Sequence, residues 1–180
     1  MDNLLIPNSE QIRHKVAIAG CVIDAVTKQA IQGAAVEIKG KNLLTLTRED
    51  GSFYFQDLPN GSYNLDIWAA NLGSRYGVAS VTDVSVPNLE VKVQLQPTRL
   101  VGQIQRQDNN LPIAKAIVKV RGSELQTFTD KDGRYILSCE MQKGSPTIEI
   151  YAKGFSTEIQ KVTLTAGEET ILNIQLTSKS

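Results

Sequence analysis

The sequence predicts an all-β protein built as two tandem β-sandwiches of seven strands each. Two observations carry this. First, "TREDGSFYF" at residues 47–55 is written again as "TDKDGRYIL" at 129–137, and the correspondence extends far beyond these stretches. Second, apolar residues recur at every other position in short runs separated by turn residues. That is the period of a half-buried strand, and no run of a dozen residues carries a helical stripe.

The repeat fixes the domain organisation. At a constant offset of 82 residues Gly20 meets Gly102, Ile31 meets Ile113, Ala34 meets Ala116 and Val36 meets Val118. Thr47 then meets Thr129, Asp50-Gly51 meets Asp132-Gly133, and Phe53 meets Tyr135. One inserted residue shifts the offset to 83, at which "LDIWA" (65–69) meets "IEIYA" (148–152). A long, nearly ungapped match of this kind marks two homologous modules. We therefore divide the chain into an N-terminal arm at 1–14, a first sandwich at 15–97 and a second at 98–180. Pro97 separates the last strand of one from the first of the next. So short a linker predicts a fairly rigid tandem.

Each strand follows from its alternation. "GAAVEIKG" places Ala34, Val36 and Ile38 on one side, "SYNLDIWAAN" places Tyr63, Leu65, Ile67 and Ala69 there, and "EVKVQLQ" places Val91, Val93 and Leu95 there. Asp50-Gly51, Pro59-Asn60-Gly61, Pro87-Asn88 and Asp132-Gly133 supply the turns, glycine tolerating positive φ without steric cost. The stretch at 47–55 reads as a β-hairpin corner. Its Thr continues the incoming strand, Phe53 and Phe55 point to one face, and Tyr54 points to the other. A module of about 80 residues is near the size at which one core just suffices, so contact between the two modules would help.

Composition narrows the function. Hydrophobic residues make up 41% of 180, which suits a packed core, and the formal net charge is zero. No basic face is implied, so nucleic acid and anionic membrane are not expected partners. Up to Thr98 the chain holds 8 basic and 10 acidic residues, and beyond it 11 and 9, so the two parts carry −2 and +2. The start, "MDNLLIPNSEQIRHKVAIAG", lacks the basic and apolar regions of a secretory signal, and no apolar run approaches the roughly 20 residues of a membrane helix. The expectation is a cytoplasmic protein with no membrane insertion.

Catalytic and metal chemistry find little to stand on. His14 is the one histidine and reads as a solvated residue before the first strand. It has no carboxylate or thiolate companions at metal-ligand spacing. No phosphate loop, nucleophile elbow or H-E-x-x-H is present. Cys21 and Cys139 fall in different modules, which argues against a disulfide framework. Glu49, Asp50, Asp57, Asp130 and Asp132 cluster at turns, where two or three carboxylates build turns more often than the six to eight oxygens of a calcium site. Lys15, Lys92 and Glu37 are the residues an isopeptide cross-link would draw on, and such a link is not expected. Neither a cofactor nor a metal is predicted.

The stretch "GCVIDAVTKQAIQGAAVEIKG…TLTREDGSFYFQDLPNGSYNLDIWAANLG" resembles the carboxypeptidase regulatory-like domain, a transthyretin-like (prealbumin-like) β-sandwich. The family pattern joins an early Gly, a "P-I-x-G-A-x-V" strand, a "T-D-x-x-G-x-F/Y" turn and "L-P-x-G-x-Y-x-L". The first module departs from it at Ala30, where Pro is usual. The second keeps "LPIAKAIVKVRG" and "TFTDKDGRYIL" but has "EMQKGSPTIEI" in place of the last element. The resemblance spans about residues 15 to 177. It implies an accessory, non-catalytic module. Two enzyme families with related sandwiches do not fit: hydroxyisourate hydrolases use several histidines and a C-terminal "Y-R-G-S", and intradiol dioxygenases bind iron through two Tyr and two His.

Surfaces remain. If Leu65 and Ile67 face the core, Asn64, Asp66 and Trp68 face outward, and Tyr151 takes the place of Trp68 in the second module. Tyr54 also alternates outward, so Trp68 and Tyr54 are expected to share an aromatic patch that marks a contact. The leading reading is a non-catalytic protein-interaction or structural module that works with protein partners or by self-assembly. It would be a subunit or adaptor of a larger bacterial assembly, with a phage-tail-like contractile injection particle suggested by analogy. The alternative is a carbohydrate-binding module that uses Trp68 with Asn64 and Asp66.

Overall fold

The computed structural model describes residues 13–138 and 140–179. The arm at 1–14 lies almost wholly outside the described residues, as does Cys139.

The first module has seven strands: β1 (Val16–Asp24), β2 (Ala35–Ile38), β3 (Leu43–Leu46), β4 (Ser52–Gln56), β5 (Ser62–Trp68), β6 (Ala79–Ser85) and β7 (Asn88–Leu95). They form a three-stranded sheet ordered β4-β1-β7 and a four-stranded sheet ordered β3-β2-β5-β6. The second module repeats the plan with β8 (Arg99–Arg106), β9 (Ile117–Val120), β10 (Gln126–Phe128), β11 (Arg134–Leu137), β12 (Thr147–Tyr151), β13 (Glu158–Lys161), β14 (Glu169–Ile171) and β15 (Ile174–Leu176). Its sheets run β11-β8-β14 and β10-β9-β12-β13, and β15 also pairs with β8. β14 and β15 are one strand interrupted at Leu172-Asn173, where the Asn173 side chain accepts the Gln103 N–H at 2.9 Å. The seven-stranded plan thus holds in both modules.

Alternation sorts the side chains as expected. Val36, Ile38, Leu65 and Ile67 are fully buried in the first core, with Ile18, Val22 and Phe53 opposite them on the other sheet. Val118, Ile148 and Ile150, with Leu100, Ile104 and Tyr135, build the second. The two cores are separate clusters. Gly20 and Gly102 each leave room for an aromatic ring and a neighbouring backbone. A Cβ on Gly20 would lie 2.1 Å from the Val91 carbonyl oxygen, and one on Gly102 1.9 Å from that of Leu172. The Tyr135 ring covers Gly102, and its hydroxyl donates to the Leu172 carbonyl at 2.7 Å.

The repeated "T…DG" stretch is not the hairpin corner the sequence suggests. β3 and β4 lie in different sheets, so the segment between them carries the chain across the sandwich. Gly51 and Gly133 make the turn at φ of 76° and 71°. Thr47 is buried and does more than continue a strand. Its hydroxyl donates to the Ile31 carbonyl at 2.6 Å and accepts the Ala34 N–H at 2.9 Å. Thr129 repeats both bonds with Ile113 and Ala116, at 2.6 and 2.8 Å. A short hydroxyl side chain is what satisfies two backbone groups that the crossing would otherwise bury without partners.

The modules are stitched at their junction. Thr98 is fully buried, its N–H donates to the Arg75 carbonyl at 2.7 Å, and its hydroxyl donates to the Ser74 carbonyl at 2.7 Å. The same hydroxyl accepts the Gly167 N–H at 2.9 Å, and the Lys143 N–H donates to the Ser74 hydroxyl at 3.0 Å. One threonine therefore ties the 73–75 turn of the first module to the 165–168 turn of the second. These bonds span the junction at which the sequence predicts a short linker.

Candidate interaction surface

Strand register shows what faces outward on the four-stranded sheets. Across β3-β2-β5, Ala35 pairs with both Leu46 and Trp68, so Leu46, Ala35 and Trp68 form one row. Ala35 turns away from the core cluster yet is only 1% exposed, because its larger neighbours in the row close over a small residue. Leu46 is 51% exposed and Trp68 half-buried. The next outward row is Leu44, Glu37, Asp66 and Ser80.

The second module repeats the design with other side chains. Ile117 pairs with Phe128 and Tyr151, giving the row Phe128, Ile117, Tyr151. Phe128 is 58% and Tyr151 47% exposed. The adjoining row is Gln126, Lys119, Glu149 and Ile159. Phe128 stands where Leu46 stands, and Tyr151 where Trp68 stands. Large apolar groups held in a line at equivalent places on both modules are the main exposed apolar feature of these faces, and such patches mark contact sites.

The expected partnership of Trp68 with Tyr54 does not form. Tyr54 is on β4, in the three-stranded sheet, whereas Trp68 is on β5, in the four-stranded sheet. Since each is directed away from the core between the sheets, they lie on opposite faces of the sandwich. Consecutive strands need not share a sheet, and here the chain changes sheets on each side of β4. Tyr54 lies instead under the Arg48 guanidinium, 4.8 Å from its ring centre, beside an open groove of about 600 Å³ lined by Ala19, Cys21, Arg48 and Lys92. The matching groove of the second module, about 630 Å³, has Ile136 in place of Tyr54.

The polar candidates are already occupied. The Asn64 side-chain oxygen accepts the Asp83 N–H at 3.1 Å. Asp66 accepts the Ser80 hydroxyl at 2.6 Å and has the Lys39 ammonium 3.8 Å away. Both residues thus stiffen the sheet. Trp68 and Tyr151 stand at equivalent positions, as their 83-residue offset predicts, and Leu46 and Phe128 join them as neighbours in the rows. The signal for the second pair is present, since residues 46 and 128 stand at the repeat's 82-residue offset.

Several other titratable groups have structural roles. His14 is exposed, as expected, and pairs with Asp57. The His14 side chain and the Lys15 N–H hold the Asp57 carboxyl below the usual range. Asp50 accepts the Ser52 N–H, and Asp130 accepts those of Asp132 and Arg134, so these carboxylates build turns. Among the described residues no three His, Cys, Asp or Glu side chains come together as a metal site. Lys15 and Lys92 are exposed, unlike the buried lysine an isopeptide link requires, and Cys21 carries a free thiol. Asp24 is buried. Burial opposes its charge, but the Thr27 N–H, the Tyr76 hydroxyl and the Val26 N–H outweigh that and hold its carboxyl below the ordinary value. No described helix is long and apolar enough to cross a membrane.

Comparison with known proteins bears mainly on the fold. No curated protein sequence matches the chain. Among solved structures it is similar to the Bacillus anthracis TIE protein, at 16% identity and a TM-score of 0.43, over 91% of this chain and 34% of that one. It is also similar to a streptococcal ancillary pilin, at 12% and 0.37 over 94% and 63%, and to the shaft pilin SpaA from Lactobacillus rhamnosus GG. The last likeness is 9% identical with a TM-score of 0.39 over 93% and 98%. The chain thus spans about a third of the TIE protein. At such identities and scores these likenesses say nothing of function. The model of the carboxypeptidase regulatory-like domain matches residues 17–96 and again 99–177, nearly the whole of both modules. The chain belongs to the carboxypeptidase regulatory-like domain family, with two copies of the domain in tandem.

Proposed function

We propose that the protein is a non-catalytic interaction module that takes its place in a larger bacterial assembly through the outer faces of its four-stranded sheets. The observation that carries this reading is the pair of equivalent rows, Leu46-Ala35-Trp68 and Phe128-Ile117-Tyr151, held on a rigid tandem. Exposed apolar rows on a fixed frame favour binding because little side-chain and domain freedom is lost on contact. The proposal includes a cytoplasmic site of action and, by analogy, membership of a contractile injection particle.

The test is to purify the tagged protein at native level, identify stoichiometric companions, and titrate the pure protein with glycans while following Trp68 fluorescence. The proposal predicts a defined set of protein companions and no glycan response. Saturable quenching by a glycan, with no companion, would replace it with the carbohydrate-binding reading. Because Asn64 and Asp66 are engaged in the sheet, few free polar side chains flank Trp68 to orient a sugar.

A further inference from the structure

We infer that the four-stranded face of the first module docks on the four-stranded face of the second module of another copy of this chain. The inference rests on the interaction surface proposed above and names its partner. The apolar rows are of similar make, so charge decides what each accepts. Beside the first row stand Glu37 and Asp66, with the Lys39 ammonium 3.8 Å from Asp66. Beside the second stand Lys119 and its cross-strand neighbour Glu149, and Lys161 stands one row further. Among the described residues, Glu37 and Lys119 have no ion-pair partner within their own chain. The first module, 15–97, holds 7 basic and 8 acidic residues, net −1, and the second, 98–180, holds 11 and 9, net +2.

First face against first face would set Glu37 and Asp66 against their own copies, and second against second would do the same with Lys119 and Lys161. First against second sets acid against lysine and row against row. Like charges brought together oppose the wrong pairings, so complementarity selects the contact between unlike modules. Within one chain the two faces do not meet, since Leu46, Phe128 and Tyr151 all remain about half-exposed. The face of each copy is therefore left for a second copy, in a heterologous contact.

Two single-face variants test this. Leu46→Asp spoils the first face and Phe128→Asp the second, both at exposed positions. Light scattering across a concentration series is expected to show wild-type association that weakens with added salt, and each variant alone as a monomer. An equimolar mixture of the two variants is expected to regain a 1:1 dimer, because each supplies the face the other lacks. That recovery also proves that both variants fold. Lys119→Glu in the Leu46→Asp chain should weaken the mixed dimer by about tenfold or more, and Glu37→Lys in the Phe128→Asp chain should restore it. A wild type that stays monomeric at all concentrations overturns the inference. So does either variant that still dimerises alone, which would mean like faces pair, or a mixture that stays monomeric while the wild type associates. Either result leaves the broader interaction reading to its own test, the loss of native companions when the rows are altered.

Discussion

The two modules share their interior and differ on their surface. Thr47 and Thr129 make the same pair of hydrogen bonds, Gly20 and Gly102 leave the same gap, and Ile67 and Ile150 fill the same place in the core. On the outside, Trp68 is replaced by Tyr151, Leu46 by Phe128, Glu37 by Lys119, and Tyr54 by Ile136. What repeats is what the sandwich requires. What diverges, with the apolar rows kept and the charges changed, is what a contact surface can tune without cost to the fold.

The comparison breaks first in the core if it is wrong. Leu65→Ala and Ile148→Ala remove fully buried side chains at equivalent positions. Each is expected to destabilise its module by about 3 kcal/mol in denaturant unfolding. A large loss at one and none at the other would show that the two cores are not equivalent.

Thr47→Val and Thr129→Val come next. Each leaves a buried backbone carbonyl and N–H without the hydroxyl that serves both, an expected loss of about 2 kcal/mol. Tyr135→Phe is expected to cost about 1 kcal/mol, because only the second module has a hydroxyl on the Leu172 carbonyl.

Acid sharpens the comparison further. Asp24 in the first module has a native carboxyl held below its ordinary value, and Arg106 stands at the equivalent place in the second. A depressed native value contributes stability that is fully present above the unfolded value, about pH 4, and is lost as pH falls through the native one. Asp24→Asn should therefore lower stability at neutral pH and flatten the acid limb of the profile. An unchanged pH profile would contradict this. The smallest effect is expected at Leu46→Asp and Phe128→Asp, whose side chains are half-exposed and which should stay within about 0.5 kcal/mol of wild type.

The strands were legible because alternation and turn residues are local signals, and the repeat showed that β1–β7 and β8–β15 follow one plan. Sheet membership was not legible. The segment around Asp50-Gly51 looks like a hairpin because its residues suit a tight turn, and nothing local says that β4 pairs with β1 rather than β3. That error put Tyr54 beside Trp68. It also hid the real neighbours of Trp68, since Leu46 reaches the row only through the pairing of both strands with β2. Asn64 and Asp66 were placed outward correctly in pattern, but their engagement with Asp83, Ser80 and Lys39 depends on cross-strand geometry.

The most direct measurement compares the two faces of the sandwich in the native cell. Tagged wild type, a Leu46→Asp/Phe128→Asp double variant and a Tyr54→Asp/Ile136→Asp double variant are purified at native level, and their companions, including untagged copies of the same chain, are quantified. If the four-stranded faces make the contacts, companions are retained by wild type and by the second variant and lost from the first. Retention by the first variant with loss from the second would move the contact to the three-stranded faces and contradict the proposal.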